Sequence, residues 1–269
     1  MRKIFIGTAA VLAAFASSTS GAQAKSESQA QPKLIITQQP PLPWQIVGTF
    51  SILGFDPATG EIGAAVQSRV FSVGNGVIWA EAGVGAAATQ AVVDVSYGPQ
   101  AIALLKTGMS PDAIVKKVWN DDPDPRPTDW AKTGRQFAVI NAKGETAAYT
   151  GPTAPDSAGQ KAGKFCSAQG NTLATPQVVN AMVAAFESTT GHISLRLMAA
   201  LEAGQMAGGD KRGMQSAAIL VVKKDGGVWV HNDVVMRLQV DDSPEPLEEM
   251  RRLVEKSPAS HPRVRPGQQ

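Results

Sequence analysis

The chain has 269 residues and a formal net charge of +2, with acidic and basic side chains interspersed. That balance excludes the basic stripe with interleaved aromatics on which nucleic-acid binding depends. The single cysteine, Cys166, excludes an intramolecular disulfide, and 26 glycines with 6% aromatic residues suit tightly packed layers better than an aromatic-lined groove.

In chain order, residues 1–24 have the pattern of a secretory signal peptide. Arg2 and Lys3 supply the positive start, Ile4 to Ala16 form an apolar run too short to span a bilayer, and Ala22-Gln23-Ala24 gives a small-x-small cleavage site. The expectation is export to the periplasm or beyond, with no membrane anchor once the signal is removed. Lys25 to Gly48 is Gln-rich and broken by Pro32, Pro40, Pro41 and Pro43, a linker or propeptide composition; Leu34-Ile35-Ile36 offers an edge strand as the lesser option.

At Thr49 the texture changes. Thr49 to Phe55 alternates and is β-rich, Asp56-Pro57-Ala58-Thr59-Gly60 is a turn cluster, and Glu61 to Ser68 returns as a second strand. Val77 to Ala82 and Val84 to Ala91 pair around Gly83. A helix opens at Pro99 and closes at Gly108; Ser110-Pro111-Asp112 caps a second, running to about Asn120. Asp121 to Thr133 is a Pro- and Asp-rich loop. Strands are expected at Gln136 to Asn141, Glu145 to Tyr149 and Lys164 to Gln169. Thr175-Pro176 starts a helix to about Thr189, and Ile193 to Met206 is its antiparallel neighbour. Gln215 to Val222 pairs with Val228 to His231 across Lys224-Asp225-Gly226-Gly227, Val234 to Val240 is a last strand, and Ser243-Pro244 caps a helix to about Lys256. Ser257 to Gln269 is expected as a disordered tail. Strands arriving as adjacent hairpins, with helices in pairs, predict an α+β fold: a four-layer αββα sandwich of two stacked, mainly antiparallel sheets with helices outside.

The chemistry is first narrowed by what is missing. His192 falls in an interhelical turn, His231 at a strand end where capping is its ordinary role, and His261 in the tail, so no metal site is expected. There is no G-x-S-x-G elbow, Walker loop or dinucleotide fingerprint, and no cofactor is expected. Cys166 has no histidine near it in sequence and is expected to be a small buried thiol.

Four polar or glycine-rich segments stand at predicted strand ends: Gly48-Thr49 with Ser51; Gln67-Ser68-Arg69; Gln169-Gly170-Asn171; and Gly208 to Ser216. Each alone is an ordinary turn. Together, in an open sandwich, they converge.

These residues carry a resemblance. Thr49-Phe50-Ser51-Ile52 and Gly63-Ala64-Ala65-Val66-Gln67-Ser68-Arg69 resemble the opening of the bacterial and archaeal "domain of unknown function 1028" family. Ala82-Gly83-Val84-Gly85-Ala86, Ala88-Thr89-Gln90, Ser96-Tyr97-Gly98-Pro99, Gln169-Gly170-Asn171, Gly208 to Ser216 and Val240-Asp241-Asp242 are similar to it too, over Thr49 to about Val254. The resemblance implies an N-terminal-nucleophile (Ntn) hydrolase fold, in which a cut makes a Thr, Ser or Cys the first residue of the first strand.

On that implication Thr49 is the nucleophile, and its freed α-amine, with an unperturbed pKa of roughly 7.7–8, is the base, so no histidine is needed. Gly48, lacking Cβ, eases the geometry of an N-to-O acyl shift. Arg69 is assigned to lowering the amine pKa, Asn171 with the Gly170 backbone to the oxyanion, and Asp210, Gln215 and Ser216 to orienting the amine. Ser68, Arg212, Gln215 and Ser216 are the substrate-side residues, with Arg212 binding a substrate carboxylate bidentately. Forty-eight residues precede Thr49, so signal removal alone does not expose it and a second cut at Gly48-Thr49 is required.

The resulting expectation is an exported amidohydrolase acting on a small amide, acyl-amine or peptide-like bond. Two alternatives stay open: a binding or scaffold module that never exposes Thr49, and an enzyme using Ser51 or Ser68. A homo-oligomer is also left open.

Overall fold

The computed structural model describes residues 48–260. The expected signal peptide, linker residues 25–47 with their edge-strand option, and tail residues 261–269 lie outside that range.

The first strand, β1 (Thr49–Asp56), turns back into β2 (Glu61–Ser68). The turn is set by its sequence: the Ala58 amide donates to Asp56 Oδ1 at 2.9 Å, and Gly60 takes φ of 75°, which a side chain would resist. The remaining elements are β3 (Ile78–Glu81), β4 (Gly85–Ala91), α1 (Tyr97–Lys106), α2 (Pro111–Asp121), β5 (Arg135–Asn141), β6 (Thr146–Thr150), β7 (Gly159–Gly163), β8 (Cys166–Asn171), α3 (Gln177–Ser188), α4 (Ile193–Met206), β9 (Ser216–Val222), β10 (Val234–Val240) and α5 (Pro246–Lys256).

Two sheets result, with strand orders β10-β9-β2-β1-β8-β7 and β3-β4-β5-β6, every pairing antiparallel. Side-chain alternation then assigns three apolar layers. Phe50, Ile52, Ala168, Ile219 and Val221 face outward against Met182, Phe186, Leu197 and Leu201 of α3 and α4 and Met250 of α5. Leu53, Phe55, Ile62, Ala64 and Val66 face inward against Ala86, Ala88, Ala138 and Ile140 of the smaller sheet. Ala87, Phe137 and Val139 face Ala101, Ile114 and Val118 of α1 and α2. This is the four-layer αββα arrangement, and β4 contributes the small side chains of Ala86 and Ala88 to the layer between the sheets.

Two expectations are corrected, and one strand had not been expected. Val228 to His231 is not a strand. Val222 pairs directly with Val234, and the residues between form a loop with left-handed φ at Asp225, Trp229 and His231. Its β-rich composition is spent on exposed side chains, Trp229 and Val230 each 85% exposed. Conversely β7, with two glycines, one lysine and no strong β-former, becomes an edge strand because β8 needs a partner, and a lysine suits an edge. Finally, the chain beyond α5 turns through an ordered 3₁₀ turn at Pro258–Ser260, with Ala259 and Ser260 buried. Among the described residues no helix is long and apolar enough to cross a membrane.

Cys166 is buried and unpaired at the start of β8. Burial, reinforced by the nearby Glu187 carboxylate, pushes its thiol up to about 12. Native protein at neutral pH is therefore expected to react with iodoacetamide about a thousandfold more slowly than an ordinary thiol, and to label readily once denatured. Rapid stoichiometric labelling of the folded protein would contradict this account of the site.

Candidate active site

The central strand of the larger sheet opens at Thr49, flanked on both sides by hydrogen-bonded neighbours. Thr49 is in register with Ser68 on β2 and with Asn171 on β8. Thr49, Ser51 and Ser68 point into the space between the sheets, where the apolar residues of the middle give way to a polar cluster. Thr49, Ser51, Ser68, Gln90, Gln136, Gln169 and Asn171 are all 0% exposed.

Polar groups so deeply buried need partners, and a network from both sheets reaches all seven, leaving only Gln169 Oε1 among their side-chain atoms without one. Ser51 Oγ donates to Gln90 Oε1 at 2.7 Å, and Gln90 Nε2 donates to Gln136 Oε1 at 2.8 Å and to the Thr49 carbonyl at 3.2 Å. Gln136 Nε2 donates to the Gly170 carbonyl at 2.9 Å, and Asn171 Nδ2 donates to Gln136 Oε1 at 3.1 Å. Gln169 Nε2 reaches the Ala88 carbonyl at 3.0 Å. The start of β1 is thus fixed to β4, β5 and β8 by amide side chains.

At the edge of this network lies the Gly48–Thr49 peptide. Thr49 Oγ1 donates to Ser68 Oγ at 3.0 Å, and Ser68 Oγ in turn donates to the Gly48 carbonyl at 2.5 Å. A second donor, Arg212 Nη2, meets the same carbonyl at 2.6 Å. One peptide oxygen, next to one threonine hydroxyl, therefore receives a hydroxyl and a guanidinium.

Arg212 is held in place by Asp210. The Asp210 side chain is fully buried; its Oδ1 accepts from the Arg212 amide at 2.9 Å and from Nε at 3.0 Å, and its Oδ2 from Nη2 at 2.6 Å. The loop carrying both residues folds back through Gly208, Gly209 and Gly213, all at positive φ. It is stitched to the chain after β8 by a Leu173–Asp210 bridge and by bonds from Lys211 N to the Thr172 carbonyl and from Ala174 N to the Gly209 carbonyl. A fork held bidentately on a buried carboxylate aims without cost in side-chain freedom at the moment of use.

The structure thus brings Thr49, Ser68, Asp210 and Arg212 together around the Gly48 carbonyl and places Asn171 in register with Thr49. It separates three other expected residues. Arg69 is exposed, with Nη1 3.4 Å from Gln215 Oε1, while Gln215 Nε2 donates to Asp242. Ser216 is buried and holds the loop after β2, donating to the Val70 carbonyl and accepting from the Val73 amide. Gln90 and Gln136, given no role from sequence, are the hub of the network. Their signal was present: each is a polar residue in phase with the inward-facing apolar residues of its strand, Ala86 and Ala88 for Gln90 and Ala138 and Ile140 for Gln136. Among the described residues no group of three or more His, Cys, Asp or Glu is positioned to hold a metal.

Fold and site define a four-layer α+β protein with a buried hydroxyl pair at the head of its central strand. The chain belongs to the Family of unknown function (DUF1028), whose model matches residues 49–250. Among solved structures it is similar to protein SPO2555 from Silicibacter pomeroyi, described as belonging to DUF1028. The identity is 31% and the TM-score 0.69, over 78% of this chain and 85% of that one. No curated protein matches the chain.

Proposed function

We propose that the protein is an exported N-terminal-nucleophile amidohydrolase, acting on a small amide, acyl-amine or peptide-like bond once Thr49 has become a free terminus. The observation that carries this reading is the Gly48 carbonyl, held by Ser68 and Arg212 beside the Thr49 hydroxyl. An N-to-O acyl shift needs a nucleophile, a proton path and donors where the oxyanion develops, and these contacts support that reading. Thr49 Oγ1 attacks the Gly48 carbonyl carbon, its proton passing to Ser68 Oγ as the Ser68 proton passes to the carbonyl oxygen. Collapse breaks the C–N bond as the hydroxyl proton of the tetrahedral intermediate passes to the Thr49 nitrogen, re-forming the carbonyl, and an ester remains. Water then hydrolyses the ester, leaving a Gly48 carboxylate and a free Thr49 amine and hydroxyl. In turnover the same hydroxyl attacks substrate, with the amine as base and the vacated donors on the substrate oxygen. The family match beginning at Thr49 supports the same boundary.

The binding-module reading has one observation in its favour: Thr49 is 0% exposed beneath the residue that precedes it. Intact-mass measurement of the purified protein separates the two. A species beginning at Thr49 is expected from the wild type, and Thr49→Ala is expected to remain at the length set by signal removal and to lose all turnover on amide panels. A wild type that stays uncut under assay conditions would leave the binding module as the better account.

A further inference from the structure

In the uncut chain the acyl group offered to the Thr49 hydroxyl is glycyl. Gly48 is buried, and its carbonyl is held by Ser68 Oγ and by Arg212 Nη2 at 2.6 Å. On the hydrolase reading, the same two donors receive the substrate oxygen in turnover. The α-carbon of the substrate's acyl group then stands where the Gly48 Cα stands.

That position has no room for a branch. A Cβ added to Gly48 would fall on the Arg212 guanidinium, nearest to Nη2, with Cζ at 2.6 Å and Nε at 2.9 Å. Three atoms of one planar group lie inside contact distance, so the whole fork must shift to admit a methyl group. It is not free to retreat. Its Nε and Nη2 donate to the two oxygens of Asp210 at 3.0 and 2.6 Å, and the Asp210 side chain is fully buried. Parting that pair strips a buried carboxylate of its counter-ion. An α-branched acyl group is therefore either refused or admitted only by pushing the guanidinium off the oxygen it is there to stabilise. Losing one such donor lowers a rate by roughly 10²–10³.

We infer that the substrates are amides of acids with an unbranched α-carbon, of the N-acylglycyl or acetyl kind, and that Arg212 is the residue that sets this preference. The inference rests on the hydrolase reading and narrows its acyl side. In turnover Thr49 Oγ1 bonds to the acyl carbon as the free amine takes its proton. That proton passes to the departing nitrogen when the C–N bond breaks, and water releases the acid from the ester.

The test compares the 4-nitroanilides of acetylglycine and acetyl-L-alanine on the full chain once a Thr49 terminus has formed. The glycyl compound is expected to show kcat/KM ~100-fold above the alanyl one, with most of the difference in kcat. Arg212→Lys keeps a cation without the planar fork, so it should slow the glycyl compound and shrink the ratio severalfold. Should that variant be too slow to assay, the wild-type ratio decides alone. Hydrolysis of both compounds with a ratio below ~10 overturns the inference and leaves the hydrolase reading standing. An unchanged ratio in Arg212→Lys overturns the assignment to Arg212. If neither anilide is turned over, intact mass after exposure to the matching 4-nitrophenyl esters gives the ratio of acylation rates, and acylation by neither overturns the inference. A chain that never acquires a Thr49 terminus overturns the inference and the hydrolase reading together.

Discussion

Asp122→Ala is expected to lower the unfolding free energy by about 3–5 kcal/mol, and Tm by roughly 10 °C, because it leaves a buried guanidinium without its counter-ion. Arg135, at the start of β5, is 1% exposed. Its Nε donates to Asp122 Oδ2 at 3.1 Å, and its Nη1 donates to the carbonyls of Val92 and Trp130. Tyr97 on α1 donates to the same Asp122 oxygen at 2.7 Å, and the Asp124 amide donates to Oδ1. One carboxylate therefore ties together α1, the end of α2, the following loop and β5. Removing it takes the acceptor from three donors at once, the Arg135 Nε, the Tyr97 hydroxyl and the Asp124 amide. Asp122→Asn keeps the volume and one acceptor but not the charge, so it should fall between alanine and wild type.

The same cluster sets an acid dependence. Burial favours the neutral form of Asp122, but hydrogen bonds from Tyr97 and Asp124 and the Arg135 charge outweigh it, so the folded pKa lies below the ordinary carboxylate value. The stabilisation is then fully present above the unfolded pKa, near 3.9, and is lost as pH falls through the folded value. Urea unfolding from pH 7 down to pH 3 should show this slope in the wild type and a flatter one in Asp122→Asn. Midpoints for Asp122→Ala within 1 kcal/mol of wild type would mean that the cluster is solvated and not buried.

How far the sequence reaches is visible in that cluster. The order of strands and helices was legible because alternation in Thr49 to Phe55 and Glu61 to Ser68, and paired caps such as Ser110, are local signals. Asp122 and Arg135 were not: an aspartate in a Pro- and Asp-rich loop has the composition of a solvated turn, and only the packing of α1 and α2 against β5 buries it. Val228 to His231 failed in the opposite direction, since β-propensity there is overridden by the direct pairing of Val222 with Val234. At the site, Thr49, Ser68, Asp210 and Arg212 were legible as polar ends of strands and loops. Their partners were not. Arg212 invites a substrate carboxylate on chemistry alone, yet a fold-back at three glycines turns it onto the Gly48 carbonyl. Gln90 and Gln136 face Ser51 and Gly170 only because two sheets stack, a relation of long range that no spacing records.

The Gly48 carbonyl also gives the proposed cleavage its sharpest consequence. If Arg212 and Ser68 stabilise the oxyanion of the acyl shift, removing either donor is expected to slow formation of the Thr49 terminus by roughly 10²–10³, followed by intact mass over time on freshly purified precursor. Arg212→Met removes the guanidinium and frees Asp210; Ser68→Ala removes a donor and the path by which the Thr49 proton reaches the carbonyl. Gly48→Ala offers an independent route to the same defect. A Cβ there would lie 2.3 Å from Arg212 Nη2 and 2.6 Å from its Cζ, so the guanidinium must move off the carbonyl, loosening its grip on Asp210 as it does so. Gly48→Ala alone should therefore resemble Arg212→Met, and adding it to Arg212→Met should slow cleavage little further, because the contact it disrupts is already gone. Fully multiplicative effects would mean that Gly48 acts through backbone geometry and not through Arg212. Cleavage of Arg212→Met at the wild-type rate would take the guanidinium out of the chemistry and return it to holding the loop.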